Sequence, residues 1–475
     1  MTGSSPSPSS RLSRRATLLA GLALLAGCSL GPHYKKPDTA AAAAWRTQPG
    51  GAAAQWPAAD WWKGFGSARL DALIAQAQAA NTDIGAAVAR VREADAQARV
   101  AGAPLLPSVT GGAGLANAQP QPVVSGNKVV RPNMSTVIDP AIAVSYQLDF
   151  WGKNQASLEA AQASALASRY DQQTVALTVV SGVATTYFQI LALRDRLAVS
   201  QANIDSATDV LKALRTEEQV GTATALDVAQ EETALAQLLA QVPPLRQQLA
   251  QAVDALAILV GATPETIAIE TGTLDGVTTP AVSPGLPSEL LERRPDVAQA
   301  EAQLQSANAN IRVARAAYFP SIALTAEGGL ASVALNGLFG PTGGFYSLAS
   351  SVTQPIFDNG AIAGQVEFSR ARYDELVQDY RKAVISAFGD VEDALAAEQQ
   401  TRLQVLRQAE AVATARRAYD ISVAQLRAGT VNILTVLNTE NALFPAQDAL
   451  VQAKLAQLQA TVGLFKALGG GWRQA

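Results

Sequence analysis

The sequence predicts a membrane protein of the α+β class, in which a β-barrel continues into a long α-helical barrel and two tandem structural repeats supply both. Three observations predict this architecture. An N-terminal export signal ends at the only cysteine, four segments of about ten residues alternate like strands, and two segments of about 68 residues contain no proline. Proline-free segments of that length are typical of long helices, and about ten residues is the length of a tilted transmembrane strand.

The composition favours long, thinly packed helices and excludes several classes of function. Of the 475 residues 48% are apolar but only 5% are aromatic, and a net charge of −4 gives no basic excess for nucleic acid. One cysteine and one histidine can build neither an intrachain disulfide nor a Cys/His zinc site. His33 lies in a proline-containing linker and is interpreted as a solvated residue. Without paired acids or a nucleophile constellation, the sequence predicts no enzyme, no metal site and no cofactor apart from a covalent lipid.

The N-terminus is interpreted as an export signal over residues 1–27. Arginines precede a 12-residue apolar run, Ala16–Gly27, which is too short to span a bilayer as a helix. The letters LAGC resemble the bacterial lipobox, in which the cysteine is diacylated and becomes the mature N-terminus, so Cys28 is the predicted lipidation site. Ser29 follows, which in such lipoproteins implies sorting to the outer membrane. SRRATLL loosely resembles a twin-arginine signal, so the export route stays open between Sec and twin-arginine.

The chain resembles itself across an offset of about 208 residues. VGTATALDVAQEETAL at 220–235 aligns without gaps with AGTVNILTVLNTENAL at 428–443, and 81–115 aligns with 294–330. The predicted divisions are a lipidated N-terminal and equatorial segment over 28–80, a first repeat over 81–262, an equatorial linker over 263–293, a second repeat over 294–468 and a C-terminal tail over 469–475.

Each repeat is predicted to open with a helix followed by two strands. In the first, apolar residues recur at helical spacing over 81–103 until Pro104 and Pro107 end the helix. The strands are predicted at about 107–117, 136–150, 320–331 and 345–357. Apolar residues alternate along them with small or polar ones, and the polar face, expected to line a lumen, includes Gln147, Asp149 and Glu327.

The same alternation would occur in a half-buried soluble sheet. The export signal favours a membrane, as does the expectation that no apolar stretch of 18 or more residues follows Cys28. Four strands are too few to close a membrane barrel, for which eight is about the minimum. Because open strand edges are not tolerated in lipid, the chain is expected to oligomerise. The connecting segments 117–135 and 332–344 are rich in Pro, Gly and Asn and suit exposed turns.

A long helix and a returning helix complete each repeat. The long helices are predicted over about 152–219 and 361–427, each roughly 100 Å long, which calls for coiled-coil-like partners. Glycines stop them, and the returning helices are predicted over about 225–261 and 432–468. Pro243-Pro244 interrupts the first returning helix, where a kink or a join between two stacked helices is expected.

Several stretches together resemble one family over nearly the whole mature chain. They are the lipobox, WWKGFGSARLDALIAQAQAANTDI (61–84), LERRPDVAQAEAQL (291–304) with AAYFPSIALTAEGGL, QPIFDNG (354–360) and RAGTVNILTVLNTENALFPAQ (427–447). In this order the chain resembles an outer-membrane efflux channel of the TolC/OprM type, in its NodT-like lipoprotein branch.

The resemblance implies a homotrimer that places a 12-stranded barrel in outer-membrane lipid, four strands from each chain. The helices would form a tunnel about 100 Å long across the periplasm, and the equatorial segments would form a belt around it. At its far end the tunnel would meet a periplasmic adaptor, a membrane fusion protein, which joins it to an inner-membrane RND transporter. The adaptor contact is expected at the two turns, at Val220, Gly221, Thr222, Gly429 and Thr430, where glycine permits close backbone approach.

Pore-constriction residues are also implied by the resemblance. The family places acidic residues after the second turn, and a ring of three carboxylates there filters and gates because it must be hydrated or paired with cations. The matching residues here, Asn432, Thr435 and Asn438, are neutral, whereas the first repeat keeps Asp227. The constriction is therefore either hydrogen-bonded through Asn and Thr or formed by acids elsewhere. Asp227 is explained equally well by a favourable interaction with the helix dipole.

Two other functions remain as alternatives. The outer duct of a type I protein-secretion system shares this architecture, although the lipobox and the RRPD letters favour small-molecule efflux. A lipid-anchored periplasmic coiled-coil scaffold would not need four alternating strands. The exported compound is not encoded in the channel, because in this family the pump selects the cargo; the neighbouring genes would identify the pump and the adaptor.

Overall fold

The computed structural model describes residues 34–39, 44–46, 56–118, 123–125, 128–130, 134–267, 272–282 and 287–473. The predicted signal peptide and Cys28 lie outside the described residues. Over the described residues the chain divides into two compact units. The first comes from Met1–Pro37, Arg92–Leu166 and Glu301–Gln378, and the second from Asp38–Val91, Ala167–Ala300 and Asp379–Ala475.

Seven α-helices and six β-strands are assigned within the described residues. The helices are α1 (Ala68–Ala80), α2 (Thr82–Gly102), α3 (Lys153–Gln219), α4 (Ala225–Leu259), α5 (Pro295–Ala316), α6 (Ala361–Arg427) and α7 (Ile433–Ala467). The strands are β1 (Ser108–Ala118), β2 (Val123–Ser125), β3 (Lys128–Val130), β4 (Ser135–Leu148), β5 (Ser321–Leu330) and β6 (Gly344–Thr353). Short 3-10 helices lie at Trp61–Phe65, Ala103–Leu105, Pro264–Thr266, Leu274–Gly276, Pro287–Glu292 and Leu335–Gly337.

Four strands of the first unit form one antiparallel sheet in the order β1-β4-β5-β6. All four predicted strands are present, with shifted ends. β4 stops at Leu148, because the chain turns at Gly152 (φ 68°) into α3. β6 stops at Thr353 rather than at 357; Pro355 follows two residues later and has no N–H to donate to a neighbouring strand.

The register places the predicted apolar residues of all four strands on one face. Directly paired residues share a face, and Val109 pairs with Val144, Tyr146 with Leu324, and Ala326 with Leu348. The large apolar side chains exposed on this face are Val109 (66%), Leu115 (71%), Ile142 (60%), Tyr346 (84%), Leu348 (77%) and Val352 (67%). No described part of this chain covers them. The opposite face carries mainly small and polar residues, with Phe345 as an aromatic exception.

One connecting segment departs from the prediction. Residues 117–135 are not only a turn, because β2 and β3 within them pair as a short antiparallel hairpin, with Val123 opposite Val130 and Ser125 opposite Lys128. Valine has a high strand propensity, which the Pro, Gly and Asn content of the segment concealed.

The second unit has an aromatic and aliphatic core around α3. Trp61 stacks on Phe465 with ring centroids 4.8 Å apart, and Phe65 packs against Phe188 at 4.9 Å. Along α3, Val180, Ala184, Tyr187 and Leu191 are buried and Leu177 is half-buried. Their 3–4 spacing therefore marks the buried stripe of this helix.

One expectation about membrane spans is wrong. The helix α3 contains an 18-residue window of mean hydropathy 1.6, so an apolar stretch of that length does follow Cys28. Of this window 56% is buried inside the chain, which is the pattern of the central helix of a packed unit. By length and composition it is the one described helix that could cross a membrane, and this is weak evidence for a span.

The returning helix α4 is continuous across Pro243 and Pro244, so the predicted alternative of a join between two stacked helices is wrong. The other returning helix, α7, likewise contains Pro445. Each proline removes one backbone donor. Leu245, directly after the first pair, is 7% exposed and belongs to the core, so packing supports the helix where hydrogen bonding is weakened.

Within the second unit, Arg294 of the RRPD letters links the C-terminal end of α7 to the start of α5 and to α6. Its guanidinium pairs with Asp296 at 2.6 Å and Asp390 at 2.9 Å, and it donates to the carbonyl oxygen of Ala467 at 3.3 Å. The chain turns at Gly469 (φ 83°), just after α7 ends. Glycine is required there because a β-carbon would collide with the carbonyl oxygen of the neighbouring Arg293. Pro295 begins α5, as predicted for a first-turn residue.

Candidate functional site

Each long helix ends in a glycine-threonine turn of the same geometry. Gly221 (φ 83°) and Gly429 (φ 69°) adopt the left-handed conformation that L side chains rarely accept. Thr222 then donates from its backbone N and its Oγ1 to the carbonyl oxygen five residues earlier, at 2.9 and 3.1 Å. Thr430 repeats both bonds at 3.0 and 3.1 Å. The Gly-Thr pair therefore satisfies a terminal carbonyl that has no helical partner.

The predicted adaptor contact is open surface within one chain. Val220, Gly221, Thr222, Gly429 and Thr430 are all exposed, and Val220 exposes 72% of its surface. A β-carbon added at either glycine would meet no atom within 4 Å. No described part of the chain covers this surface. Contact with an adaptor stays a prediction.

The helix α4 begins with a capping box. Thr224 Oγ1 accepts from the Asp227 backbone N at 3.3 Å, and the Asp227 carboxylate accepts from Thr224 N at 2.8 Å and from its Oγ1 at 2.7 Å. These hydrogen bonds lower the pKa of Asp227. Asp227 thus stabilises the helix start, and its predicted place at the pore constriction stays a prediction.

The helix α7 begins with a simpler cap at the equivalent positions. Asn432 Oδ1 accepts from the backbone N of Thr435 at 3.4 Å and from its Oγ1 at 3.3 Å. The change from Asp227 to Thr435 between the copies therefore exchanges a reciprocal box for a one-way cap. Asn432 and Asn438 are exposed and Thr435 is half-buried. The structure brings Asn432 and Thr435 together, and the assignment of all three to a constriction stays a prediction.

A hydrophobic cluster joins four helices next to the turns. Its buried residues are Val210, Leu211 and Leu214 of α3, Val228 of α4, Tyr419 and Leu426 of α6, and Ile433, Val436, Leu443 and Phe444 of α7. Two glutamates are buried in the same region: Glu231 of α4 is 0% exposed and Glu440 of α7 is 3% exposed. Carboxyl groups are seldom buried so completely without a partner.

The environment keeps these two carboxyls protonated to unusually high pH. Burial, and then the charge of Glu440, raise the pKa of Glu231 to about 8. Burial raises the pKa of Glu440 to about 7, although the nearby Tyr419 hydroxyl acts in the opposite direction. None of the four carboxylate oxygens has a hydrogen bond of acceptable geometry among the described residues.

Sequence reasoning did not identify this pair as a site. A signal was present, because Glu231 lies three residues after the buried Val228 and Glu440 lies four after the buried Val436, which places both glutamates on apolar stripes.

The predicted lumen residues lie at the sheet of the first unit. Gln147 and Glu327 are exposed, and the register places both on the polar face. Asp149 instead follows the end of β4, where its carboxylate accepts from the backbone N of Asn154 at 3.0 Å and of Gln155 at 2.8 Å and so stabilises the start of α3. Within the described residues, no group of three or more His, Cys, Asp or Glu side chains is arranged to hold a metal ion.

Comparison with known proteins finds likeness over nearly the whole chain. The family model for outer membrane efflux proteins matches residues 73–262 and 286–470. The pyoverdine export outer membrane protein OpmQ of Pseudomonas aeruginosa is 40% identical over 463 residues, covering 97% of each chain. The probable efflux pump outer membrane protein TtgC of Pseudomonas putida is 32% identical over 457 residues, covering 94% of each.

A solved structure agrees in fold. The outer-membrane channel OprN matches with a TM-score of 0.88 at 26% identity, over 94% of this chain and 100% of that one. The likeness therefore extends over nearly the whole chain.

Proposed function

The chain belongs to the outer membrane efflux protein family and is an outer-membrane channel for efflux. We propose that three copies of it form one continuous conduit from the periplasm to the exterior. The strands would supply a 12-stranded barrel and the long helices a periplasmic tunnel. Related proteins are outer-membrane components of efflux pumps, so a periplasmic adaptor and an inner-membrane transporter are implied as partners. The RND class of that transporter is part of the proposal.

The observation that supports assembly of several copies is the four-stranded sheet. Within the described residues, β1 and β6 each keep one edge without a partner strand, and one face carries exposed Val109, Ile142 and Leu348. Unpaired backbone groups are very costly in hydrocarbon, so both edges must pair with neighbouring copies. Three sheets of four strands exceed the minimum of about eight strands for a membrane barrel.

The polar face of the sheet then lines the lumen. Gln147 and Glu327 would face water inside the barrel, while the apolar face contacts lipid, as in membrane barrels generally. Asp149 would stand where barrel and helices meet. A diacyl lipid on Cys28 would hold the N-terminus at the same membrane, since two acyl chains anchor stably where one does not.

A tandem duplication explains the order of elements. Helix, strand, strand, long helix and returning helix occur twice, as α2 to α4 and again as α5 to α7, apart from the β2–β3 hairpin inside the first copy. A trimer built from such chains presents six similar but unequal turns, at which the adaptor would bind Val220, Gly221, Thr222, Gly429 and Thr430.

Small organic molecules are the proposed cargo. Relatives are named for pyoverdine export, antibiotic efflux and toluene efflux, and all three are compounds of this class. Cells that lack the chain should retain the exported compound, and the intact chain should restore its release.

The channel is tested with the purified full chain. Light scattering in detergent should give the mass of three chains, and a planar bilayer should show steady ion conductance. A monomer, or a trimer that does not conduct, would contradict the proposal.

A further inference from the structure

Glu231 and Glu440 come from the two returning helices and meet inside the second unit. Glu231 exposes none of its surface and Glu440 only 3%, and the charge of one carboxyl acts on the other. None of their four oxygens has a hydrogen bond of acceptable geometry among the described residues, although the nearby Tyr419 hydroxyl lowers the pKa of Glu440. Among the described residues, no cation acts on the pKa of either group. A buried ion without a partner is expelled or neutralised, so the pair is stable in this position only while it holds a proton.

The neighbouring helices α3 and α6 also supply no positive charge that would stabilise the two carboxylates. From α6 the Tyr419 hydroxyl faces Glu440, and the Arg416 guanidinium acts on that tyrosine. From α3 the cluster receives Val210, Leu211 and Leu214, all apolar. Two arginines of α3 have other partners: Arg215 pairs with Glu232 of α4 at 2.7 Å, and Arg196 pairs with Asp448 of α7 at 2.6 Å. Lys212 of α3 is exposed, and no cation contributes to the raised pKa values of Glu231 and Glu440. No described cation is therefore placed to replace the proton.

We propose that Glu231 and Glu440 form a proton-dependent latch that joins α4 to α7 beside the two turns. While one carboxyl keeps its proton, the pair is neutral or shares a single charge, and the two helices stay packed. When the last proton passes to periplasmic water, two carboxylates face each other in an apolar cluster, and their repulsion separates the helices and loosens the turns. This inference deepens the proposed function and rests on it for the effect on conduction.

The sign of the stability effect follows from proton binding. Both carboxyls bind protons more tightly in the folded chain than in the unfolded one, where a glutamate has a pKa of 4.5. The folded state therefore loses stability as the pH rises from about 4.5 to about 8, and loses no more above that range. Ordinary surface carboxylates with lowered pKa values change stability in the opposite direction.

The first experiment uses thermal unfolding of the purified full-length assembly at about pH 5 and about pH 9. The wild type should melt several degrees lower at the higher pH. The double variant Glu231→Gln with Glu440→Gln, which mimics the neutral pair, should lose that difference. Glu232→Gln is the matched control, because Glu232 is exposed and adjacent, and it should keep the wild-type behaviour. An equal decrease in the wild type and the double variant would overturn the latch.

Infrared spectroscopy gives a readout that does not depend on how well the variants fold. At neutral pH the wild type should show the band of a protonated carboxyl, and this band should disappear in alkaline buffer. A wild-type spectrum without that band at neutral pH would also overturn the proposal.

Bilayer recordings then separate the latch from the channel itself. Wild-type conductance should rise several-fold when the solution at the turns is brought from about pH 5 to about pH 9, and the double variant should stay at the low-pH level. An identical pH response in both proteins refutes the latch. If the wild type conducts at no pH while the melting and infrared results hold, the proposed channel function fails and the proton-holding pair stands.

Discussion

At the scale of single residues, the two turns are alike where the long helices end and different where the returning helices begin. The Gly-Thr pair makes the same two hydrogen bonds in both turns. The caps that follow differ, because the Asp227 carboxylate also accepts two hydrogen bonds from Thr224, whereas Thr435 only donates to Asn432. The difference noticed in the sequence is thus first of all a difference in helix capping.

A charge placed at the neutral constriction should change ion selectivity. Asn438→Asp adds one exposed carboxylate per chain after the second turn, three in the trimer, and should lower anion conductance relative to cation conductance. Thr435→Asp should act in the same direction. Gln230→Glu adds the same charge at the equivalent position of the first copy and serves as the control. Unchanged selectivity in bilayer recordings of Asn438→Asp would show that this residue does not line the constriction.

Bulk at the second turn should block the adaptor without dissociating the trimer. Gly429 has a positive φ, so any L residue there costs about 1–2 kcal/mol, but open space surrounds it. Gly429→Leu should abolish efflux in cells while light scattering still reports a trimer. Gly429→Ala carries the same backbone cost with little bulk and should retain most of the activity. Normal export by the leucine variant would argue against docking at this turn.

At the scale of elements, the sheet depends on register. A slip of one residue would exchange its two faces, and the observed pairing instead keeps the apolar residues of four strands together. The continuity of the returning helix α4 depends on packing. Two prolines predicted an interruption, yet the helix continues because its apolar stripe is packed on both sides of them. Before the prolines, Val228 packs in the cluster beside the turns, and after them Leu245 and Leu256 pack in the core around α3.

Arginine on the two faces of β6 should have unequal effects. Leu348 lies in the middle of the strand on the apolar face and is 77% exposed, whereas its neighbour Ser347 lies on the polar face. Leu348→Arg should destabilise the assembly in lipid by about 2–4 kcal/mol, and Ser347→Arg should be tolerated in a watery lumen. Urea unfolding in lipid vesicles measures both. Equal stability of the two variants would mean that the apolar face does not meet lipid.

At the scale of the whole molecule, one chain is incomplete in two ways. Its sheet has two free edges among the described strands, and the apolar face has no cover from the described chain. The proposed trimer would resolve both in a membrane, because neighbouring copies would pair the edges and lipid would cover the face.

The lipid at Cys28 should be an anchor rather than a requirement for assembly. Cys28→Ser should abolish incorporation of radiolabelled palmitate, while the barrel, which carries its own apolar surface, should still form trimers. Metabolic labelling and light scattering test the two statements separately. Labelling that persists in the variant would place the lipid elsewhere.

The sequence by itself determined the strands, the long helices, the turns and the family, because alternation, helical spacing, glycine and proline act through the local backbone. It also located the Gly-Thr turns and the residues assigned to adaptor contact. Only the tertiary structure decided that Asp227 and Asp149 cap helices, that α4 is unbroken, and that Glu231 and Glu440 are buried together. Glu231 and its exposed neighbour Glu232 are the same residue type in sequence. What separates them is which helices pack against each side of α4, and that depends on contacts between residues more than two hundred positions apart.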